Sequence, residues 1–262
     1  MGKSLKGKRA LVTGASSGLG ADFARNLAGR GCHLVLTARR EEQLRALADD
    51  LAQRHRVEVS VIPLDLAAPD APQRLYDQLG AAGQTVDVLI NNAGLGIYGS
   101  FLEIPWERER AMLELDILAL VHLTKLFARD MATRHDGHIL QIASIGAYQP
   151  SPTYATYSAA KSFVLYFAEA LAYELRGTGV TCTVLSPGVT ETEFLQVAGQ
   201  TPSLYQRSVM MTSEQVVDIG IEAMLKGRPS VVAGRLNGLM AFSTRFMPRQ
   251  WAAAVAHQFM TR

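Results

Sequence analysis

Two side chains in the middle of the sequence have the types and spacing needed for acid–base chemistry. Tyr157 and Lys161 stand four residues apart where a helical pattern begins, so both side chains lie on one face of a helix. A free phenol has a pKa near ~10, and a neighbouring ammonium group stabilises the phenolate and lowers that pKa. Tyr157 would then exchange a proton with a substrate oxygen. The spacing alone is not decisive, so other residues must support this interpretation.

Ser144 is the third predicted member of this centre. It follows the apolar run Ile139-Leu140-Gln141-Ile142-Ala143, which is typical of a buried strand. Open α/β sheets place their chemistry at the carboxyl ends of strands. A lone serine is more often a turn or cap residue, but the nearby Tyr157 favours a role in the reaction. Tyr154 has Ser158 rather than a lysine four residues later, so we assign it to the wall of a substrate pocket.

A glycine-rich loop near the beginning of the chain indicates a nucleotide site. A predicted strand runs into Thr13-Gly14-Ala15-Ser16-Ser17-Gly18-Leu19-Gly20, and a helical pattern follows. Backbone N–H groups and a helix dipole then converge where a pyrophosphate can lie. Glycine also serves ordinary tight turns. The order of strand, loop, helix and second strand in one short unit nevertheless favours dinucleotide binding.

The end of the second predicted strand bears on which dinucleotide is bound. A carboxylate at that place binds the ribose of NAD and repels the extra phosphate of NADP. Ala38 occupies this position, and Arg39 offers a planar, permanently charged group to a 2′-phosphate. The sequence therefore predicts NADP(H). In the alternative, both arginines only begin a solvated helix with Glu41 and Glu42 as counter-charges, and no cofactor preference follows.

Strand and helix patterns alternate along the whole chain, as in βα units that build a parallel sheet. We predict an α/β, single-domain Rossmann fold over residues 1–262, with a core at about 6–235 and a basic, apolar helical extension at 236–262. Its sheet is doubly wound, seven-stranded and parallel, with helices on both faces. Strands are predicted at residues 10–13, 33–37, 58–62, 86–90, 138–143, 181–185 and 230–232, and helices at about 19–29, 41–54, 72–79, 106–132, 154–176 and 213–226.

Composition narrows the function classes further. The chain has 262 residues, 48% of them hydrophobic, and a net charge of +2, which gives no indication of nucleic-acid binding. We find no signal peptide and no apolar stretch near the roughly 20 residues of a membrane-spanning helix. Cys32 and Cys182 are interpreted as buried free thiols, which fits a reducing compartment. We therefore expect a cytoplasmic protein without a metal site.

Taken together, these motifs resemble the short-chain dehydrogenase/reductase family over about residues 6–235. The stretch from Thr13 to Gly20 is similar to the family's cofactor loop, and Leu64-Asp65-Leu66 is similar to the segment with its adenine-side acid. Asn91-Asn92-Ala93-Gly94 resembles a structural turn of the family. The run Ser186-Pro187-Gly188-Val189-Thr190-Glu191-Thr192 resembles its nicotinamide-side loop. The family's serine, tyrosine and lysine fall on Ser144, Tyr157 and Lys161.

The resemblance implies an NADP(H)-preferring oxidoreductase, acting on the CH–OH group of donors, with Tyr157 as general acid and base. It implies that Ser144 binds the carbonyl oxygen and that Lys161 lowers the pKa of Tyr157 and contacts the nicotinamide ribose. The implied cofactor-binding residues are Gly14, Ser16, Ser17, Gly18, Leu19, Gly20, Arg39, Arg40, Asp65, Leu66, Asn92, Ala93, Gly94, Tyr157, Lys161, Pro187, Gly188, Val189 and Thr192.

The sequence departs from the family's pattern at Asp116, because the family has an asparagine at this position. That asparagine helps to hold a water between the lysine and solvent, whereas aspartate has lost the amide donors. A carboxylate also favours a charged Lys161. We retain Asp116 as a candidate catalytic residue and expect an altered pH dependence. The alternative is a helix residue that only pairs with a neighbouring cation.

The predicted substrate is an apolar or lipid-like ketone or aldehyde, or the corresponding alcohol, because the residues expected around the site are mostly apolar. They comprise residues 95–98, 145–154 and the segment 189–211; Ser144, Ile145, Tyr154, Tyr157 and Leu195 are the predicted contacts. The apolar side chains would alternatively only pack a lid onto the body. Two other functions stay open: a non-catalytic NADP-binding regulator or scaffold, and an NADP-dependent epimerase.

The last part of the chain combines basic and apolar residues, with no acidic residue after Glu222. Such amphipathic helices would cover the substrate pocket, pack against another subunit or contact an anionic membrane surface. The family resemblance implies a homodimer or homotetramer formed through the helices predicted at 106–132 and 154–176.

Overall fold

Apolar runs form the strands because a parallel sheet with helices on both faces is buried throughout. The computed structural model describes residues 4–261, except for the side chains of residues 204, 205, 249 and 259–261. The sheet is parallel, in the order β3-β2-β1-β4-β5-β6-β7, so the predicted seven-stranded, doubly wound Rossmann fold is confirmed. The strands are β1 (Arg9–Thr13), β2 (His33–Ala38), β3 (Val59–Pro63), β4 (Val88–Asn91), β5 (Gly137–Ile142), β6 (Val180–Ser186) and β7 (Ser230–Val232).

Two apolar cores lie on opposite faces of the sheet. One contains Phe23, Leu44 and Ile221 from three helices on one side, and the other contains Leu75, Phe127 and Val164 from three helices on the other side. The helices of the first face are α1 (Gly18–Gly29), α2 (Glu41–His55) and α9 (Ser213–Leu225); those of the second are α3 (Ala71–Ala81), α5 (Leu120–Thr133) and α6 (Ala155–Glu174).

The helix predicted at 106–132 is not regular throughout. It consists of α4 (Trp106–Leu113), a π-helical turn at Glu114–Ala119 and α5. The predicted helical segment is therefore confirmed in its extent, and the π-helical turn in its middle is a feature that the pattern did not predict. Such turns insert one residue into a helix and often occur at functional sites. Asp116 lies within this turn.

The strand order reverses between β1 and β4, and this reversal opens a crevice at their carboxyl ends. The Thr13 hydroxyl accepts hydrogen bonds from the backbone N–H groups of Asn92 (3.0 Å) and Ala93 (2.9 Å). It also donates to the carbonyl of Ile90 at 3.2 Å. One buried side chain thus fixes the turn after β4 against the glycine loop.

The remaining helices lie after β6 and after β7. They are α7 (Phe194–Ala198) and α8 (Leu204–Ser208), then α10 (Arg235–Ser243), a 3-10 turn at Thr244–Phe246 and α11 (Arg249–Thr261). None of the helices within residues 4–261 is both long enough and apolar enough to cross a bilayer.

Candidate active site

A cleft of about 470 Å³ lies at the reversal of the strand order. The glycine loop, the end of β2, the turn after β4 and the loop after β6 all contribute to its walls. Every predicted cofactor-binding residue lines it except Gly20. A Cβ on Gly20 would lie 2.1 Å from the carbonyl oxygen of Gly14, so this glycine allows α1 to pack against the loop.

The beginning of α1 is suited to bind an anion. Its N-cap residue, Ser17, makes no capping hydrogen bond with its side chain within the described chain. The first N–H groups of the helix therefore have no side-chain partner there and face the cleft, at the positive end of the helix dipole. A pyrophosphate fits this place. Gly14, with φ of +67°, brings the loop so close to Ala93 that a Cβ would lie 2.9 Å from the Ala93 Cα.

Arg40 contacts the glycine loop directly. Its Nε donates to the Ser16 hydroxyl at 3.2 Å, its Nη2 donates to the Ser17 hydroxyl, and its Nη1 pairs with Glu193 at 3.2 Å. Glu41 pairs instead with Arg45, so Arg40 is oriented by the loop and not by the beginning of α2. This contact disfavours the interpretation of Arg40 as an ordinary solvated helix residue.

Tyr157 and Lys161 project from the first turns of α6 toward Ser144, which follows β5. Ser144 and Tyr157 line the same cleft, and the Ser144 hydroxyl accepts the backbone N–H of Gly146 at 3.1 Å. The Lys161 Nζ lies 5.8 Å from the centre of the Tyr157 ring and donates to the carbonyl of Ile142 at 3.2 Å. Residues predicted from three separate motifs thus meet in one place.

Asp116 is fully buried and forms an ion pair with Lys161. Its Oδ2 lies 2.9 Å from the lysine Nζ, and only 4% of Lys161 is exposed. The Asp116 Oδ1 accepts the backbone N–H of Leu95 at 2.7 Å. The alternative for Asp116 was a helix residue that only pairs with a neighbouring cation. That cation is Lys161, so the Asp116 carboxylate lies within the site.

This ion pair affects the acidity of the tyrosine. Burial raises the pKa of Tyr157, the negative charge of Asp116 raises it further, and the hydrogen bond with Ser144 lowers it. Burial likewise raises the pKa of Asp116, against the opposite effects of Lys161 and the Leu95 N–H. The expectation of a lowered tyrosine pKa was wrong in this structure, because burial disfavours the phenolate and the negative charge of Asp116 disfavours it further.

Aromatic rings form one wall of the cleft. The centroids of Tyr98 and Tyr154 are 5.3 Å apart, those of Tyr154 and Tyr157 are 5.6 Å apart, and those of Tyr157 and Phe194 are 5.5 Å apart. The Phe194 ring also lies against Gly96, where a Cβ would be 2.3 Å from its Cζ. The predicted contacts Ser144, Ile145, Tyr154, Tyr157 and Leu195 all line the cleft; of the predicted segment 95–98, only Leu95 and Gly96 do.

The segment from residue 190 to residue 211, here called the lid, crosses the substrate end of the cleft. A β-bridge joins Thr190 to Met211 at its base. Buried Gln200 accepts a hydrogen bond from the Tyr154 hydroxyl at 2.7 Å, which ties the lid to the aromatic wall. Glu193, Gln200 and Gln206 lie in the predicted segment 189–211 and line the cleft, but the sequence did not single them out, because no local pattern marks a polar residue whose role depends on a distant contact.

The C-terminal helices support the cleft from outside. Asn237 of α10 packs behind Gly188, where a Cβ would lie 2.3 Å from its Nδ2. Helix α11 packs on α8 and buries Ala252 and Ala256. No described residue of α10 or α11 lines the cleft, so these helices do not form its inner wall. Several large apolar side chains on their outer surface are exposed: Leu236, Leu239, Phe242, Phe246, Trp251 and Val255.

Comparisons with known proteins agree with this geometry. The family model described as short chain dehydrogenase matches residues 8–203. Sulfoacetaldehyde reductase 2 of Chromohalobacter salexigens is 35% identical over 216 residues, which cover 80% of this chain and 85% of that protein. A solved 7beta-hydroxysteroid dehydrogenase superposes with a TM-score of 0.88 at 26% identity, covering 98% of this chain and 99% of that one. A Sphingobium yanoikuyae short-chain dehydrogenase, solved with NADPH, gives 0.80 at 29% identity, with 92% and 94% covered.

Proposed function

Because the chain belongs to the short-chain dehydrogenase family and is therefore an oxidoreductase, we propose that it uses NADP(H) to interconvert a ketone or aldehyde and its alcohol. The main support for this proposal is that Ser144, Tyr157 and Lys161 lie in the same cleft as the glycine loop. The place of Arg39 and Arg40 at the end of β2 and the NADPH complex of a structural relative support NADP(H).

The protein's own residues bind, orient and protonate in this mechanism. NADP(H), when bound, supplies or accepts the hydride. Ser144 donates to the substrate oxygen, and Tyr157 gives that oxygen a proton during reduction or removes one during oxidation. Lys161, which is held by Asp116 and the Ile142 carbonyl, would contact the nicotinamide ribose of the bound cofactor. Tyr157, whose pKa is raised, keeps its proton at neutral pH and can give it to a carbonyl oxygen.

The substrate in this proposal is apolar or lipid-like. The aromatic wall formed by Tyr154, Tyr157 and Phe194 gives the substrate end of the cleft an apolar surface, which Ile145 and Leu195 extend. Arg40, the cationic group near the lid, is already paired with Glu193. One structural relative is named for a hydroxysteroid, which is a compound of this class.

The two competing functions make different predictions. A non-catalytic regulator or scaffold binds NADPH without turnover, and the buried Lys161–Asp116 pair is the feature that favours it. An epimerase converts its substrate without net consumption of NADPH. The common position of Ser144, Tyr157 and Lys161 in one cleft favours the reductase over both.

The first test is NADPH oxidation with a panel of apolar ketones, aldehydes and quinones, comparing the wild type with Tyr157→Phe. We expect turnover to fall by about 10²- to 10⁴-fold, because the phenol supplies the proton. Tyr166→Phe is the matched control, since Tyr166 lies on the same helix with its ring exposed. NADPH binding without turnover would support the regulator, and substrate isomerisation at constant NADPH would support the epimerase.

We further propose that the chain forms a homodimer or homotetramer in the cytoplasm. The surfaces of α4 and α6, together with the π-helical turn, expose large apolar side chains that a partner subunit would cover. Those residues are Trp106, Leu118, Phe163, Tyr166 and Tyr173.

The outer surface of α10 and α11 is proposed as a peripheral contact with an anionic membrane. Its exposed apolar residues lie beside Arg235 and Arg245, and the sequence has no acidic residue after Glu222. Symmetric pairing with a second copy would bring these cations together, whereas anionic headgroups complement them. The packing of Asn237 against Gly188 places this surface beside the cleft, where a lipid-like substrate would enter.

A further inference from the structure

We propose that Glu193 competes with the 2′-phosphate of NADP(H) for Arg40, and that this competition links cofactor choice to the lid. The inference rests on the proposed function, since it requires that Arg40 contacts the cofactor phosphate. It concerns a residue of the lid and not of the glycine loop. Glu193 thereby becomes a specificity-determining residue that lies outside the cofactor motifs.

Arg40 is oriented toward the place where the phosphate would bind. Its hydrogen bonds to the hydroxyls of Ser16 and Ser17 hold the guanidinium across the glycine loop. Arg39 lines the cleft beside it. Hydroxyls and two guanidinium groups around one point are a set of donors that suits a phosphate.

Glu193 supplies a negative charge at this point. Its Oε2 lies 3.2 Å from the Arg40 Nη1. Among the described residues that line the cleft, only Asp65 and Glu193 are acidic. The carboxylate therefore offsets part of the positive charge that recognises the phosphate. Because both partners are largely exposed, water screens the pair, and a phosphate that makes several hydrogen bonds can displace Glu193.

The position of Glu193 in the chain connects this exchange to the substrate site. The next residue is Phe194, whose ring packs on Gly96 and on the ring of Tyr157. Thr192 lies on the other side, against Gly18 of the glycine loop. Loss of the Arg40 contact on phosphate binding would release the beginning of α7 from the glycine loop. NAD(H), which lacks the phosphate, would leave that contact in place.

The binding test uses calorimetric titration of the full chain with NADPH and with NADH. Glu193→Gln removes the charge and keeps the shape of the side chain. We expect this variant to bind NADPH about 2- to 5-fold more tightly, in the range of exposed ion pairs, and to bind NADH unchanged. Glu191→Gln is the matched control, because Glu191 is exposed in the same lid and is not paired with Arg40; both cofactors should bind it as they bind the wild type.

The lid test uses limited trypsin cleavage after Arg207 with saturating NADPH or NADH. The wild type should be cleaved faster with NADPH, and Glu193→Gln should show no difference between the cofactors. Glu191→Gln should behave like the wild type. A cleavage rate independent of the cofactor in the wild type would overturn the link to the lid.

The outcomes separate this inference from the proposed function. If Glu193→Gln binds NADPH less tightly, or if its affinities for NADPH and NADH change equally, the proposed competition for Arg40 is wrong. The proposed use of NADP(H) would still stand. If the wild type shows no preference for NADPH over NADH, the assignment of the arginines to the phosphate fails, and the inference fails with it. Thermal unfolding of each variant verifies that the fold is retained.

Discussion

At the scale of single residues, the buried pair of Lys161 and Asp116 distinguishes this site. A lysine in such a site ordinarily favours the phenolate, but here its charge has a carboxylate at 2.9 Å. Burial raises the pKa of Tyr157, and the negative charge of Asp116 raises that pKa further. The same pair fixes the lysine, because Asp116 is also held by the Leu95 N–H.

The variant Asp116→Asn tests this electrostatic effect. Asp116 raises the pKa of Tyr157, so its removal lowers that pKa, and the deprotonated tyrosine that alcohol oxidation requires forms at lower pH. For oxidation, kcat rises with pH, and we expect this rise to occur at lower pH in the variant. We expect the rate of reduction near neutral pH to change little, because Tyr157 stays protonated there. The measurement is the pH–rate profile in both directions.

Glu114→Gln is the matched control for this variant, because Glu114 belongs to the same π-helical turn. Its profile should coincide with that of the wild type. An Asp116→Asn profile that stays in place or moves to higher pH would contradict the assigned effect of the carboxylate.

At the scale of secondary structure, local patterns predicted the sheet well. Each strand lies within two residues of its predicted bounds, because buried apolar runs between turn residues are a local signal. The π-helical turn was not predicted, since its residues keep a helical pattern and only the contact of Asp116 with Lys161 reveals its role. The pairing of Arg40 with Glu193 joins positions that are 153 residues apart. Contacts of this kind depend on the fold and have no local signature.

The contact between Phe194 of the lid and Gly96 can be tested by a substitution at Gly96. In Gly96→Ala the new methyl group would lie 2.3 Å from the Phe194 Cζ, so the ring must leave Tyr157. We expect KM for the carbonyl substrate to rise roughly 2- to 10-fold, as follows from the loss of an aromatic contact of about 0.5–1.5 kcal/mol. Steady-state kinetics with saturating NADPH would measure this change.

A double-mutant cycle with Phe194→Ala completes the test. If the methyl group acts through the ring, Gly96→Ala should change KM much less in the Phe194→Ala background. Gly80→Ala is the control glycine substitution, because a Cβ there meets no atom within 4 Å. Equal effects in both backgrounds would show that Gly96 acts on the substrate or on the backbone instead.

At the scale of the whole molecule, two regions of exposed apolar side chains have proposed partners, whereas Phe101, Leu102 and Val197 are exposed elsewhere. One region lies on α4, the π-helical turn and α6, and the other lies on α10 and α11 beside arginines. Because arginines lie beside the second region, we assign that region to an anionic membrane. We assign the first region to subunit contacts. The two uses can be measured separately, as mass in solution and as binding to vesicles.

The variant Leu239→Glu tests the membrane surface. Leu239 is 65% exposed, and a carboxylate there would be repelled by anionic headgroups and would remove an apolar contact. We expect sedimentation with vesicles containing phosphatidylglycerol to fall by about 10-fold or more, which corresponds to the loss of one leucine from an apolar environment. Binding should also weaken with added salt.

Leu102→Glu is the control, because Leu102 is 92% exposed outside this surface. It should bind vesicles like the wild type, and both variants should keep the oligomeric mass. A mass that falls in Leu239→Glu would show that α10 lies between subunits, and wild-type protein that ignores anionic vesicles would refute the membrane contact.

The bridge between Thr190 and Met211 holds the two ends of the lid together. The Met211 N–H donates to the Val189 carbonyl at 3.0 Å, and the Glu191 N–H donates to the Met211 carbonyl at 2.9 Å, so the two ends of the segment lie side by side between β6 and α9. Insertions and deletions between these ends need not disturb β6 or α9. Changes in the part of the lid that follows Phe194 can therefore alter which substrate fits the cleft without replacing Ser144, Tyr157 or Lys161.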